Sequence, residues 1–149
     1  MLSIVALGSN LGNRKTNLKK GIKALGTLGL VTVSSCWLET PDESGIGPDY
    51  LNTVTLLNTS MTPPQALLES LLRIESQLGR DRSSGTRNAP RTLDLDLIAV
   101  KGIAGRWCWP TPNDLAIFGP ELVLELPHPR ARKRSFVMQP LQALKVDFF

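Results

Sequence analysis

With 149 residues, 42% of them hydrophobic and 20% charged, the chain has room for one domain with a buried core, and wholesale disorder is excluded. Seventeen Lys and Arg against thirteen Asp and Glu leave a net charge of +4, enough to favour an anionic ligand and too little to coat nucleic acid. Two distant cysteines, Cys36 and Cys108, with a single histidine exclude a zinc site, and no apolar run is long enough for a leader or a membrane span, so a soluble protein of the reducing cytoplasm is expected.

Residues 4–7 read as a short buried strand ending at the turn Gly8-Ser9-Asn10-Leu11-Gly12. Leu18, Ile22, Leu25 and Leu28 then mark one stripe of a helix that Gly29 stops. Residues 30–38, rich in Val, Thr and Trp, read as a second strand. A loop at 41–48 leads to a third strand at 50–59, on which Tyr50, Asn52, Val54 and Leu56 share a face. Thr62 fits an N-cap and Pro63 a first helical position, ahead of a stripe of Leu67, Leu71, Ile74 and Leu78 that ends at Gly79. Residues 91–100 read as the fourth strand. The order β, α, β, β, α, β is that of a ferredoxin-like α+β sandwich, an antiparallel sheet with helices on one face and the other face left for a ligand. Residues 101–120, dense in Gly, Pro and Trp without clear periodicity, read as a long loop or C-terminal elaboration.

The fourth strand carries the strongest chemical signal. In Pro90-Arg91-Thr92-Leu93-Asp94-Leu95-Asp96-Leu97 the side chains alternate, so the leucines feed the core while Asp94 and Asp96 share the opposite face, roughly 7 Å apart along the backbone. Converging carboxylates at that spacing suit magnesium ions, and two such ions suit a phosphate chain. Arg80, Arg82, Arg87 and Arg91 crowd just before the pair, and Arg130, Arg132, Lys133 and Arg134 form a second cluster. A polyphosphate shared between arginines and metal accounts for both clusters better than a solvated face does.

Ala6-Leu7-Gly8-Ser9-Asn10-Leu11-Gly12, Glu39-Thr40-Pro41, Tyr50-Leu51-Asn52, Ile74-Glu75 with Gly79-Arg80, the segment from Pro90 to Asp96, Pro127-His128-Pro129 and Arg134-Ser135-Phe136 together resemble the 6-hydroxymethyl-7,8-dihydropterin pyrophosphokinases of folate biosynthesis. The match runs in order through nearly the whole chain and implies one pyrophosphokinase domain over residues 1–149. The implied reaction moves pyrophosphate from ATP to the hydroxymethyl group of the reduced pterin and releases AMP. By resemblance, Asp94 and Asp96 hold two Mg2+ ions, one between the α- and β-phosphates and reaching the pterin hydroxyl, the other between the β- and γ-phosphates. Arg80 and Arg91 match catalytic arginines bracketing a mobile loop. Glu75, His128 and Arg134 match positions at or near ATP, Arg82 is a further phosphate candidate for ATP, and the His128 ring can take a proton near neutral pH. Tyr50 and Phe136 match two rings that sandwich the pterin, whose edge would meet Asn52, Thr40 and Pro41.

Asn88 stands where some relatives carry tryptophan, and Trp107-Cys108-Trp109 has no role that the resemblance supplies, which leaves packing or a partner surface. Two other readings compete: a nucleic-acid-binding ferredoxin-like module, disfavoured by the acidic pair and the scarcity of rings, and an inactive relative kept as a scaffold. Partners implied by the resemblance are ATP and the pterin, with neither nucleic acid nor membrane, and an association with dihydroneopterin aldolase or dihydropteroate synthase.

Overall fold

The computed structural model of the protein describes residues 1–79 and 92–148. Its main sheet is antiparallel, in the order β2 (Gly29–Val33), β4 (Tyr50–Thr59), β1 (Leu2–Ser9), β5 (Asp94–Val100), with a short strand β3 (Leu38–Thr40) also paired to β4. β1 is central because it offers small or apolar residues to both faces, and every residue from Ser3 to Ser9 is buried.

Leucines fill one face. Helices α1 (Arg14–Leu25) and α2 (Pro64–Gln77) set Leu18, Leu25, Leu67, Leu71 and Ile74 against strand residues that include Val5, Leu7, Leu95 and Leu97. The Asn13 side chain caps α1 by accepting from the Thr16 amide at 3.1 Å. A Cβ on Gly21 would stand 3.0 Å from Leu93 and 3.2 Å from Leu7, so only glycine lets α1 lie this close to the roots of β1 and β5.

Several element boundaries differ from those read in the sequence. Helix α1 ends at Leu25 with Gly26 as its C-cap, so Leu28 lies beyond it and Gly29 opens β2 instead of stopping the helix. The expected strand at 30–38 is two strands, because the Ser34 hydroxyl accepts from the Cys36 amide at 3.1 Å and donates to the Pro140 carbonyl at 2.7 Å, turning residues 34–37 off the ladder. Helix α2 begins at Pro64 rather than Pro63, and Thr62 does not cap it. A residue before proline is kept out of the helical region, so Pro63 stays extended at ψ 178° while Pro64 takes the first helical position. The fourth strand starts at Asp94; ahead of it the Thr92 hydroxyl donates to the Gly79 carbonyl, and Leu93 is buried in the core.

The segment read as a long loop is a β-hairpin of β6 (Gly105–Pro110) and β7 (Glu121–Leu126) around a 3-10 turn (Asn113–Phe118). Leu122, Leu124 and Leu126 alternate inward with Trp107 and Trp109 opposite Leu124 and Leu122, and both tryptophans pack on the leucine core. Trp109 Nε1 donates to Glu69 of α2 at 3.0 Å, and Arg73 of α2 grips Asp114 through two hydrogen bonds, at 2.7 and 3.2 Å. The tryptophans of Trp107-Cys108-Trp109 are therefore packing residues, and Cys108 between them is exposed.

The opposite face of the sheet carries Ile4, Ala6, Val54 and Ile98. The C-terminal elaboration adds helix α3 (Ser135–Ala143) there, which covers one end through Val137 and Leu141. Its other end is open.

Candidate active site

At that open end lies a hollow of about 610 Å3, a volume suited to a small-molecule ligand. β5 contributes Asp94 and Asp96, which pair across the sheet with Gly8 and Ala6 of β1. The alternation read from the sequence holds: Leu93, Leu95 and Leu97 enter the leucine core and the two carboxylates face the hollow. A bulge then places Ile98 opposite the Ile4/Val5 step, so Val100 returns to the leucine side.

Thr40, Pro41, Tyr50, Asn52, His128, Arg134 and Phe136 line the same hollow, so the structure brings together nine of the residues singled out in the sequence. Asn52 is 6% exposed, and its Nδ2 donates to Thr40 Oγ1 at 2.8 Å and to the Leu38 carbonyl at 3.2 Å. Its donors being used within the protein, the carbonyl oxygen is the group turned to the hollow, as an acceptor. A Cβ on Gly8 would stand 3.2 Å from both that oxygen and the Tyr50 ring, so the glycine of the Gly8-to-Gly12 turn keeps the floor low. That turn also anchors the loop at 41–48. Asn10 Nδ2 donates to the Pro48 carbonyl at 3.3 Å, while Arg14 holds Glu39 at 2.7 Å and the Asp49 carbonyl at 3.0 Å.

Arg134 sits at the N-terminus of α3 with its guanidinium 5.4 Å from the centre of the Phe136 ring and 3.0 Å from Glu43. The ion pair ties the loop to the helix across the hollow. Arg130, read in the sequence as a member of the second basic cluster, lines the hollow as well, and so does Glu43, for which a lone acidic residue in a polar loop carried no signal.

Glu75 lies elsewhere. It is buried on α2, its Oε1 accepting from the Leu95 amide at 2.7 Å, and it lines a second hollow of about 360 Å3 between α2, β5 and β7. Asp94, Asp96 and His128 border both hollows. The His128 amide donates to the Ile98 carbonyl at 2.7 Å, and its Nδ1 accepts from the Arg130 amide at 3.2 Å, which leaves Nε2 as the protonated nitrogen of the neutral ring. Burial, then Arg134 and Arg130, push its pKa below the ordinary 6.5, which favours the neutral ring in this state. Arg80, Arg82 and Arg91 lie outside the described residues, as does Asn88.

Among the described residues no group of three or more potential ligands surrounds a metal position. Two carboxylates fit magnesium, which keeps several waters and takes further oxygens from phosphates, better than a metal needing a closed protein cage.

The sequence model described as 7,8-dihydro-6-hydroxymethylpterin-pyrophosphokinase matches residues 4–146. The chain belongs to this family. A pyrophosphokinase of that substrate from Synechocystis is 33% identical over 148 residues, covering 98% of this chain and 67% of the relative. One from Bacillus subtilis is 34% identical over 143 residues, covering 94% of this chain and 75% of its own length. An Arabidopsis thaliana protein named folate synthesis bifunctional protein is 34% identical over 140 residues, of which this chain spans 26%. A crystal structure described as HPPK-DHPS in complex with substrates superposes with a TM-score of 0.74 at 12% identity, covering 99% of this chain and 40% of that one, and shares the fold. The enzyme transfers pyrophosphate from ATP to the hydroxymethyl group of 6-hydroxymethyl-7,8-dihydropterin in folate biosynthesis.

Proposed function

We propose that residues 1–149 act as one pyrophosphokinase domain whose two hollows receive the two substrates and meet at Asp94 and Asp96. The observation that supports this is the placement of both carboxylates on the border of both hollows. The pterin enters the larger one, stacked by Tyr50 and Phe136, with the Asn52 carbonyl accepting from its amide or amino edge and Thr40 and Pro41 beside it. The nucleotide base enters the smaller one, whose walls include Leu68, Leu72, Val123 and Leu124. Its phosphates then reach the junction, where His128 Nε2 donates to them and Arg134 exchanges Glu43 for a phosphate oxygen.

Asp94 and Asp96 would hold two Mg2+ ions, which neutralise phosphate charge and lower the pKa of the attacking hydroxyl. The chain's own work is then positioning: it sets the pterin hydroxyl in line with the β-phosphorus, excludes water and grips the phosphates. The oxygen–phosphorus bond forms at the β-phosphorus as the α,β-bridging oxygen leaves with AMP, and the hydroxyl proton passes to solvent. Arg80, Arg82 and Arg91 complete the phosphate grip in this scheme. A reducing cytoplasmic setting fits the two free thiols, Cys36 and Cys108. Work beside dihydropteroate synthase is supported by the solved HPPK-DHPS structure and by the relatives named as bifunctional in folate synthesis, while work beside dihydroneopterin aldolase rests on the family resemblance alone.

Chromatography of products after mixing the protein with ATP, Mg2+ and the pterin tests the scheme, with Asp96→Ala as control. AMP release that requires pterin and vanishes in the variant is expected. Pterin-dependent release that survives in Asp96→Ala would remove Asp96 from the reaction, and no release from a folded wild type would overturn the reading.

A further inference from the structure

β5 is an edge strand of the main sheet. β1 aligns it from inside. On the outer side, among the described residues, the Glu75 carboxylate accepts from the Leu95 amide and the His128 amide donates to the carbonyl of the bulged Ile98, both at 2.7 Å. Leu95 stands between Asp94 and Asp96, so the Glu75 contact falls at the midpoint of the acidic pair.

We propose that Glu75 is a positioning residue that aims Asp94 and Asp96 by fixing the backbone between them, rather than a residue that contacts the nucleotide. This rests on the metal role assigned above to the two carboxylates. Three observations carry it. Glu75 is 2% exposed, which leaves almost no surface for a ligand, although it lies at the floor of the smaller hollow. A side-chain oxygen accepting the Leu95 amide proton at 2.7 Å makes a short bond that takes the place of a ladder bond on the strand's outer side. Its helix is a rigid base, since Leu71 and Ile74 beside it are buried in the leucine core. Magnesium requires near-octahedral geometry at about 2.1 Å, so a small pivot of an edge strand would spread its two ligands out of range. Glu75 supplies from a helix the outer restraint that a neighbouring strand would give.

Two conservative variants separate reach from charge. Glu75→Gln keeps an acceptor oxygen at the same reach and loses the charge. Glu75→Asp keeps the charge and withdraws the oxygen by one methylene. For each, three quantities are measured beside the melting temperature: hydrogen exchange of the Leu95 amide by NMR, Mn2+ binding with a non-hydrolysable ATP analogue, and kcat and KM for each substrate. Glu75→Asp is expected to speed Leu95 exchange and weaken Mn2+ binding by about tenfold, with KM for the pterin unchanged, while Glu75→Gln stays within about threefold of wild type. The reverse order, Gln impaired and Asp not, would show that the charge itself acts on the nucleotide. A fall in melting temperature alone, with exchange and Mn2+ binding unmoved, would reduce Glu75 to packing. Either result overturns the proposal. Absence of wild-type AMP release would instead strike the pyrophosphokinase reading, while Leu95 exchange would still decide whether Glu75 holds the strand.

Discussion

The two faces of the main sheet are built from the same strands and serve opposite ends. On the face under α1 and α2, every large residue of β1 and β5 meets another apolar side chain, and the layer is closed. On the other face α3 covers Ile4, Val54 and Ile98 but stops short of Gly8, Tyr50, Asn52, Asp94 and Asp96. The polar residues stand where the covering helix ends. Alternation alone makes the division possible, because a strand residue reaches one face or the other and a single-residue step exchanges them.

The sharpest test of this division removes a carboxylate from the open face. Asp96→Ala is expected to lower kcat by about 10³-fold, the scale of losing a group that stabilises transition-state charge, with its melting curve close to wild type. A stopped reaction in a folded protein would keep stability and chemistry on separate faces. The converse variant acts on the closed face. Leu71→Ala leaves a cavity at a side chain with 0% exposure and is expected to cost about 2–5 kcal/mol in denaturant unfolding, with turnover per folded molecule unchanged. Lost turnover in the folded fraction would show that the faces are coupled through α2, the helix that also carries Glu75.

Smaller effects probe the open face alone. Glu43→Gln frees Arg134 from its loop partner, and calorimetry should show a non-hydrolysable ATP analogue binding more tightly, by up to about fivefold given the modest strength of a pair exposed on one side. Weaker binding would mean that Glu43 orients Arg134 for the phosphates instead of competing with them. The gentlest variant is His128→Gln. A histidine whose folded pKa lies below 6.5 contributes stability that is present above that value and is lost as pH falls through the lowered one. The wild-type melting temperature should therefore drop more steeply than the variant's between pH 7 and pH 5. Equal slopes would place the acid sensitivity elsewhere.

Much of the site was legible because its residues sit in local patterns. Asp94 and Asp96 were visible in the Leu-Asp-Leu-Asp alternation, Tyr50 and Asn52 in the strand at 50–59, and Gly8 in its turn. The hairpin at 105–126 was missed although Leu122, Leu124 and Leu126 recur at every second position, since the prolines and glycines before them read as loop and the partner strand offers only two alternating tryptophans between Gly105 and Pro110. The break at Ser34 was invisible because it depends on the Pro140 carbonyl, 106 residues away.

Period and residue type, which are local, determined by themselves the four main strands, the two helices beneath them, the α+β order and the face on which the acidic pair stands. The tertiary structure alone decided the rest: that α3 covers only one end of that face, that Glu43 meets Arg134, that burial and two arginines lower the pKa of His128, and that a glutamate read as a nucleotide ligand grips the backbone between the two aspartates. Each depends on the distance between residues far apart in the chain, and a one-dimensional pattern carries no record of that distance.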